Sequence, residues 1–337
     1  MLRLRPCRLN ENPGYNNFGR ERCVILKQAP IVEFERLQNP IVAYSEWSVK
    51  DVCVYYEDTE ATFYLFFSAF CLEPFRVHLV EVSTQDFISF SEPIINWSGL
   101  DDEVGGFCAP SILKADGMYY LTFNAWGDIP GQPNQLYFSA STDLRNWNGK
   151  HRLARNLTEG IRSIDAAVAY VNGKFYASWK DRQLGNPIAW NSRMEPDGWE
   201  LIGRPELDRV YENGQFVRLD GSWHMVLTNC GMPHETHIFK MNGNGERKED
   251  WLNWNTKLTF KVPVESFNTK DFSNAGFLAD WRQYDGYYYL FYAGNTELET
   301  YKGRGHCRIG IARSADLVTW FAPGQPGQNL SSHHEGR

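Results

Sequence analysis

The sequence predicts an all-β fold, a single five-bladed β-propeller with four antiparallel strands in each blade. Three observations predict it. Aromatic residues make up 15% of the 337 residues, with 21 Phe, 17 Tyr and 12 Trp, while helix-favouring runs of Ala, Leu, Glu and Lys are scarce. A strand-like phrase recurs five times, roughly every 56 residues. The last four copies open on Asp-Gly or Asn-Gly, the dipeptides a tight hairpin needs because both residues take positive φ.

The copies are TEATFYLFFSA (59–69), ADGMYYLTFNA (115–125), VNGKFYASWKD (171–181), LDGSWHMVLTN (219–229) and YDGYYYLFYAG (284–294). Their equivalent positions are Tyr64, Tyr120, Tyr176, His224 and Tyr289. A short apolar run before each turn, such as APSILKA, DAAVAYV or NGQFVRL, supplies a first strand, so each copy begins as a hairpin. A second pair of strands follows and ends in Ser-x-Asp-hydrophobic-x-x-Trp at 141–147 and 314–320, with looser forms at 84–90 and 248–254 and a remnant, EPDGWELIG, in the third copy. Four strands in roughly 50 residues, repeated five times, are the blades of a propeller around a channel. Helical solenoids of this period lack the strand, Asp/Asn-Gly, strand pattern. The division expected is a lead-in over 1–45, whose ERCVILKQAPIVEFERL is a strand closing the ring or covering one face, the propeller over 46–323, and a Gly/Pro/Ser-rich tail over 324–337 that frays.

Composition narrows the partners. The 34 basic and 41 acidic side chains give a net charge of −7 with no Lys/Arg stripe, which argues against nucleic acid. No run reaches the ~18 apolar residues of a membrane span, and the opening residues lack the apolar stretch of a signal peptide, so a complete chain is expected in the cytoplasm. Seven Cys, odd in number and without a CxxC pair, suggest neither a disulfide scaffold nor a zinc site. No cofactor or metal is called for, and no ion in the central channel is indicated. Sequons at Asn96, Asn156 and Asn329 carry little weight without a secretory signal.

In a blade the first strand runs along the channel, and the loop between its second and third strands returns to the same face. The strand openings place Asp51, Ala109, Asp165, Glu212 and the uncharged SNAGFLA around the axis. A carboxylate buried at a ring centre costs several kcal/mol without a partner, and only 41 of 337 residues are acidic, so three in equivalent places call for a reason. Blades about 72° apart put Asp165 beside Glu212 and Asp51 across the channel. Glycoside hydrolysis uses such a layout, with an acid on the leaving oxygen and a base activating water on the opposite face. Asp165 is expected to raise the pKa of Glu212, making it the acid, with Asp51 ionised as the base. A wide separation, ~6.5 to 9.5 Å, favours inversion of configuration.

Sugar-stacking candidates are Trp47 and Phe107 before first strands, and Phe70 and Trp126 after second strands; each is equally readable as a blade-packing aromatic. Trp147, Trp254 and Trp320 recur in outer strands and read as structural. Arg182 is placed to bond a sugar hydroxyl or steady Asp165, or to form a surface ion pair, and His234 to reach the pocket from the fourth blade's loop. Asp181 and Asp128 rank below the carboxylate trio because no positional logic singles them out.

The blade region, about 45–323, resembles glycoside hydrolase family 43 and its five-bladed relatives. SIDAAVAYVNGKFYASW, ADGMYYLTFNA and the Ser-x-Asp-Leu-x-x-Trp endings carry the likeness. The resemblance implies a base at Asp51, a pKa-tuning Asp165 and an acid at Glu212. It also implies an inverting, exo-acting glycosidase on a pentose or related sugar, of the α-L-arabinofuranosidase or β-xylosidase type, with carbohydrate as its partner. The chain departs from the family where Asp-Pro, Asp-Pro and Glu-Gly-Pro are usual, having Asp51-Val52, Asp165-Ala166 and Glu212-Asn213-Gly214, and it lacks the His usual near the start of blade five. That marks a divergent member or a related family. The Asn-Asp-Pro, Arg-Asp-Pro and Glu-Cys signatures of sucrose- and fructan-cleaving propellers are absent. A non-catalytic carbohydrate-binding propeller and a propeller phosphorylase are the alternatives.

Overall fold

The computed structural model describes residues 31–72, 75–127, 131, 133–297 and 307–325. Within them lie nineteen strands in five antiparallel sheets, each running outward in chain order from the axis. Blade one holds β1 (Ser48–Glu57), β2 (Thr62–Leu72), β3 (Phe75–Thr84) and β4 (Ile95–Trp97); blade two holds β5 (Phe107–Ala115), β6 (Met118–Ala125), β7 (Leu136–Ser141) and β8 (Asn148–Arg152). Blade three holds β9 (Ser163–Val171), β10 (Lys174–Asp181), β11 (Ile188–Asn191) and β12 (Glu200–Gly203); blade four holds β13 (Tyr211–Leu219), β14 (Ser222–Asn229), β15 (Thr236–Met241) and β16 (Trp254–Thr259). Blade five has β17 (Asp271–Asp280), β18 (Tyr288–Asn295) and β19 (Cys307–Ser314). The five innermost strands pack side by side around the axis, β17 closing against β1.

The fifth blade gets its outer edge from both ends of the described chain. Val42 exchanges backbone hydrogen bonds with Ile309 at 3.2 and 3.0 Å, and the Asn39 side chain both donates to the Ile311 carbonyl and accepts its N–H, at 2.9 Å each. Phe321 pairs with Arg313 further along the same edge. Among the described residues the edge is closed by residues 39–42, which follow the expected strand at 21–37. Of that stretch, 21–30 lies outside the described residues, and Phe34–Arg36 forms a single 3₁₀ turn. Val32, Phe34, Leu37 and Ile41 are buried with Tyr289, Phe291 and Ile309 between blades five and one, a placement that apolar burial alone favours.

The turns follow from their residues. Asp116-Gly117, Asn172-Gly173 and Asp220-Gly221 all have positive φ at both positions, as a two-residue hairpin requires. The fifth copy departs from expectation: Asp285 ends a short helical turn, Arg282–Asp285, and Gly286 at φ 89° caps it. The Ser-x-Asp-hydrophobic phrase is a hydrogen-bonded turn. Ser141 Oγ accepts the N–H of Leu144, and Asp143 accepts those of Arg145 and Asn146; Ser314 and Asp316 repeat this, as do Thr84 and Asp86. Trp147 also ties two blades together, its indole N–H donated at 2.8 Å to the buried Glu81 of blade one.

One irregularity shared by all five first strands builds the centre. Ladder pairing jumps from Lys50 to Cys53, Cys108 to Ser111, Ile164 to Ala167, Glu212 to Gln215 and Asn274 to Phe277, so each strand bulges by one residue. The first residue of each bulge is left-handed: Asp51 (φ 56°), Ala109 (54°), Asp165 (59°), Asn213 (50°) and Ala275 (50°). Such a backbone costs roughly 1–2 kcal/mol for a residue with a Cβ, least for Asp and Asn. It turns those five side chains toward the axis.

Candidate active site

The five left-handed residues line a narrow axial channel of about 20 Å³, the room of one water. Above it opens a cup of about 370 Å³ at the strand-opening face. Asp51, Asp165 and Asn213 border both, and Glu212 borders the cup, so three blades bring the three sequence-predicted carboxyl groups to one cavity. Glu212 does not occupy the position equivalent to Asp51 and Asp165. Asn213 does, and Glu212 stands one residue earlier, level with Lys50, Cys108, Ile164 and Asn274. The coincidence to be explained is then two acids in five equivalent places, with a third beside them.

Asp51 is buried, and three donors fix its carboxyl plane. Ser68 Oγ donates at 2.7 Å to Oδ2, while Asn213 Nδ2 at 3.0 Å and the Lys50 ammonium at 3.1 Å reach Oδ1. Ser68 accepts the N–H of Ala109 at 2.9 Å, and Asn124 accepts that of Asp165 at 3.0 Å, so a second-strand side chain of one blade holds the bulge of the next. Glu212 Oε2 accepts from Lys180 Nζ at 2.7 Å, and its Oε1 lies 3.6 Å from His234 Nε2.

The electrostatics reverse the expected order of the two neighbouring acids. Burial at the centre of the ring, then the charges of Glu212 and Asp51, push the Asp165 carboxyl up to about 7. Burial pushes Glu212 up as well, but Lys50, Lys180 and its hydrogen bond, and His234 outweigh it, so its net shift is downward. Proximity to Asp165 was expected to raise Glu212. The ammonium groups of Lys50 and Lys180 win, and Asp165 is the member of the pair that keeps a proton.

Of the other candidates, Trp126 and His234 line the cup. Phe70 is buried behind it, packed edge-on against Trp126 with centroids 5.4 Å apart. Phe107 is fully buried against Phe123 and Tyr137 and shows no face to the cavity. Trp47 stacks edge-on with His78 outside the cavity lining. Arg182 is exposed and away from the lining, and Asp181 accepts the N–H groups of Gln183 and Leu184 in a turn. Asp128 lies outside the described residues.

Sequence reasoning missed Lys50, Asn124, Arg162, Lys180, Asn213 and Cys230, all in the cup wall. A usable signal existed for two of them. Lys50 and Lys180 flank the bulge register, and an alignment of first and second strands would have placed Lys180 opposite Ile164. Among the described residues no group of three or more His, Cys, Asp and Glu is arranged to hold a metal ion, and five cysteines are free thiols.

No family model and no curated protein sequence matches the chain. Solved structures do match. An α-L-arabinofuranosidase from Lactobacillus brevis superposes with a TM-score of 0.60 at 13% identity, over 86% of this chain and 98% of its own. A xylan β-1,4-xylosidase from Bacillus halodurans C-125 gives 0.60 at 14%, over 85% of this chain and 56% of its own. A thermostable family-43 glycoside hydrolase gives 0.58 at 13%, over 86% and 97%. At these identities the likeness is one of fold, and the chain is a five-bladed β-propeller similar in fold to these glycosidases.

Proposed function

We propose that the chain is a glycoside hydrolase, inverting and exo-acting, that removes a pentose or related sugar from an oligo- or polysaccharide. The observation that carries this reading is the meeting of Asp51, Asp165 and Glu212, from three blades, at the rim and floor of one cup. Asp51 is the base: its three donors hold the carboxyl in place to take a proton from a water that attacks the anomeric carbon. Glu212 is the acid, giving a proton to the leaving oxygen as the glycosidic C–O bond breaks. Asp165 keeps a proton beside it, and Glu212, whose Oε2 is held by Lys180, must take up a proton before each turnover to act as the acid. A cup of about 370 Å³ is at the small end of ligand pockets, which supports attack at a terminal sugar. The arabinofuranosidase and xylosidase neighbours supply the choice of sugar.

A phosphorylase reading draws on Lys50, Arg162, Lys180 and His234, all in the cup lining. Both lysines already pair with site carboxylates, Lys50 with Asp51 and Lys180 with Glu212, which favours water over phosphate as the acceptor. The test is a panel of aryl α-L-arabinofuranosides and β-xylosides, assayed with and without inorganic phosphate, with NMR of the first-formed anomer. Phosphate-independent release of the inverted sugar supports the proposal. Phosphate-dependent turnover selects the phosphorylase, the retained anomer contradicts inversion, and binding without turnover selects a carbohydrate-binding propeller.

A further inference from the structure

His234 sits in the fourth blade's loop yet is built into the fifth blade. Its backbone N–H is donated to Asp271, and its carbonyl accepts the Ser273 N–H at 3.2 Å. Ring Nδ1 lies 2.9 and 3.1 Å from the two oxygens of Asp271, a fully buried carboxylate at the start of β17. Asn274 Nδ2 lies 3.2 Å from the same carboxylate and 3.1 Å from Nδ1. Two carboxylate oxygens against an imidazole lone pair outweigh one amide N–H that the carboxylate can itself accept, so the hydrogen is assigned to Nδ1. Nε2 is then the atom turned to Glu212 Oε1, 3.6 Å away.

With Nδ1 committed to Asp271, Nε2 can meet Glu212 favourably in two ways. It either accepts a proton from the carboxylic acid or, as imidazolium, donates one to the carboxylate. The two states differ by the position of a single proton. The other groups facing this pair are Lys180 on β10, hydrogen-bonded to Glu212 Oε2, Lys50 on β1, Cys230 in the same loop, with its thiol 3.8 Å from Glu212 Oε2, and Asp165 on β9. Lys180 grips Oε2, so Oε1 is the oxygen free to exchange a proton with the ring.

We propose that His234, oriented by Asp271, is a positioning residue that holds Glu212 Oε1 and returns its proton after each turnover. The inference rests on the reading of Glu212 as the acid. When the C–O bond breaks, its electron pair stays on the leaving oxygen, which takes the Glu212 proton. Solvent then protonates Nε2, and that proton moves across to Glu212. The proton taken up by Asp51 from the attacking water leaves to solvent, so charge balances over the cycle.

Two measurements test this, and they fail independently of each other. The first needs no activity: ¹⁵N NMR of the His234 ring in the intact chain, with Asp271→Asn as the comparison. Nδ1–H, or an imidazolium, is expected in the native chain and a changed tautomer in the variant; a neutral Nε2–H ring in the native chain overturns the proposal. The second compares phenyl with 2,4-dinitrophenyl glycosides, whose good leaving group needs little acid help. His234→Gln and Asp271→Asn should each lower kcat on the phenyl substrate by roughly 10²-fold, with KM little changed. Both should leave the dinitrophenyl substrate within roughly 3-fold, and the double variant should lose no more than His234→Gln alone. Equal losses on both substrates, in variants whose melting temperature is preserved, mean a structural role and overturn the relay. If Glu212→Gln itself spares the phenyl substrate, the acid assignment fails instead.

Discussion

Replacing Asp165 by Asn should make the protein more stable at alkaline pH while impairing it as an enzyme. Asn tolerates the left-handed backbone at φ 59°, so the bulge survives the change. The carboxyl is raised from 3.8 to about 7, first by burial and then by Glu212 and Asp51. An acid with a raised folded pKa favours the folded chain only while it is protonated. The unfolded chain ionises near pH 4 and the folded chain near pH 7, so stability present below pH 4 is lost progressively up to about pH 7. At 1.36 kcal/mol per unit the gap has a ceiling of about 4 kcal/mol. Its opening to the cup and the opposite shift of Glu212 reduce the net effect to about 2 kcal/mol. Urea unfolding of both proteins at pH 4, 6 and 8 measures it: the variant should be more stable at pH 8, by a margin that shrinks to nothing at pH 4. A variant less stable than the native chain at pH 8, or a margin that ignores pH, refutes the reasoning.

The remaining expectations concern charge and packing. Lys180→Met removes a positive charge that favours the ionised forms of both Glu212 and Asp165, so both keep protons to higher pH and the alkaline limb of kcat/KM moves up; an unmoved or lowered limb contradicts this. Trp147→Phe takes the indole donor from Glu81, a buried carboxyl raised to about 8 by burial, and should cost about 1–3 kcal/mol in urea unfolding. Because the lost bond favoured the charged form, that deficit should grow as pH rises from 7 to 9. Gly276→Ala should destabilise by about 1–3 kcal/mol, since its Cβ would come 2.2 Å from Thr236 Oγ1 on the neighbouring blade, and a neutral result would mean that blades four and five part easily.

The blades were legible because their signals are local. Tyr64, Tyr120, Tyr176, His224 and Tyr289 each stand four residues before the second-strand partner of a bulge, Ser68, Asn124, Lys180, Thr228 and Ala293, so the repeat register is the true one. The Asp-Gly and Asn-Gly hairpins and the Ser-x-Asp turns likewise carry their geometry within a few residues. The bulge was not legible, because a left-handed Ala109 or Ala275 has no compositional mark and is imposed by the ring. That hid the offset of Glu212. The charge order of Asp165 and Glu212 also escaped, as it depends on Lys50 of another blade and on Lys180, a residue 32 positions from Glu212 in the chain and 2.7 Å from it in space.

The central claim is that this cup breaks a glycosidic bond with Glu212 and Asp51 acting together. It is tested most directly by single-turnover cleavage of an unactivated aryl α-L-arabinofuranoside or β-xyloside by the native chain, Glu212→Gln and Asp51→Asn, each checked for an unchanged melting temperature. The native chain should release sugar, and each variant should lose roughly 10²- to 10⁴-fold. A native chain that binds these glycosides and cleaves none of them, or variants that cleave them at the native rate, would contradict it.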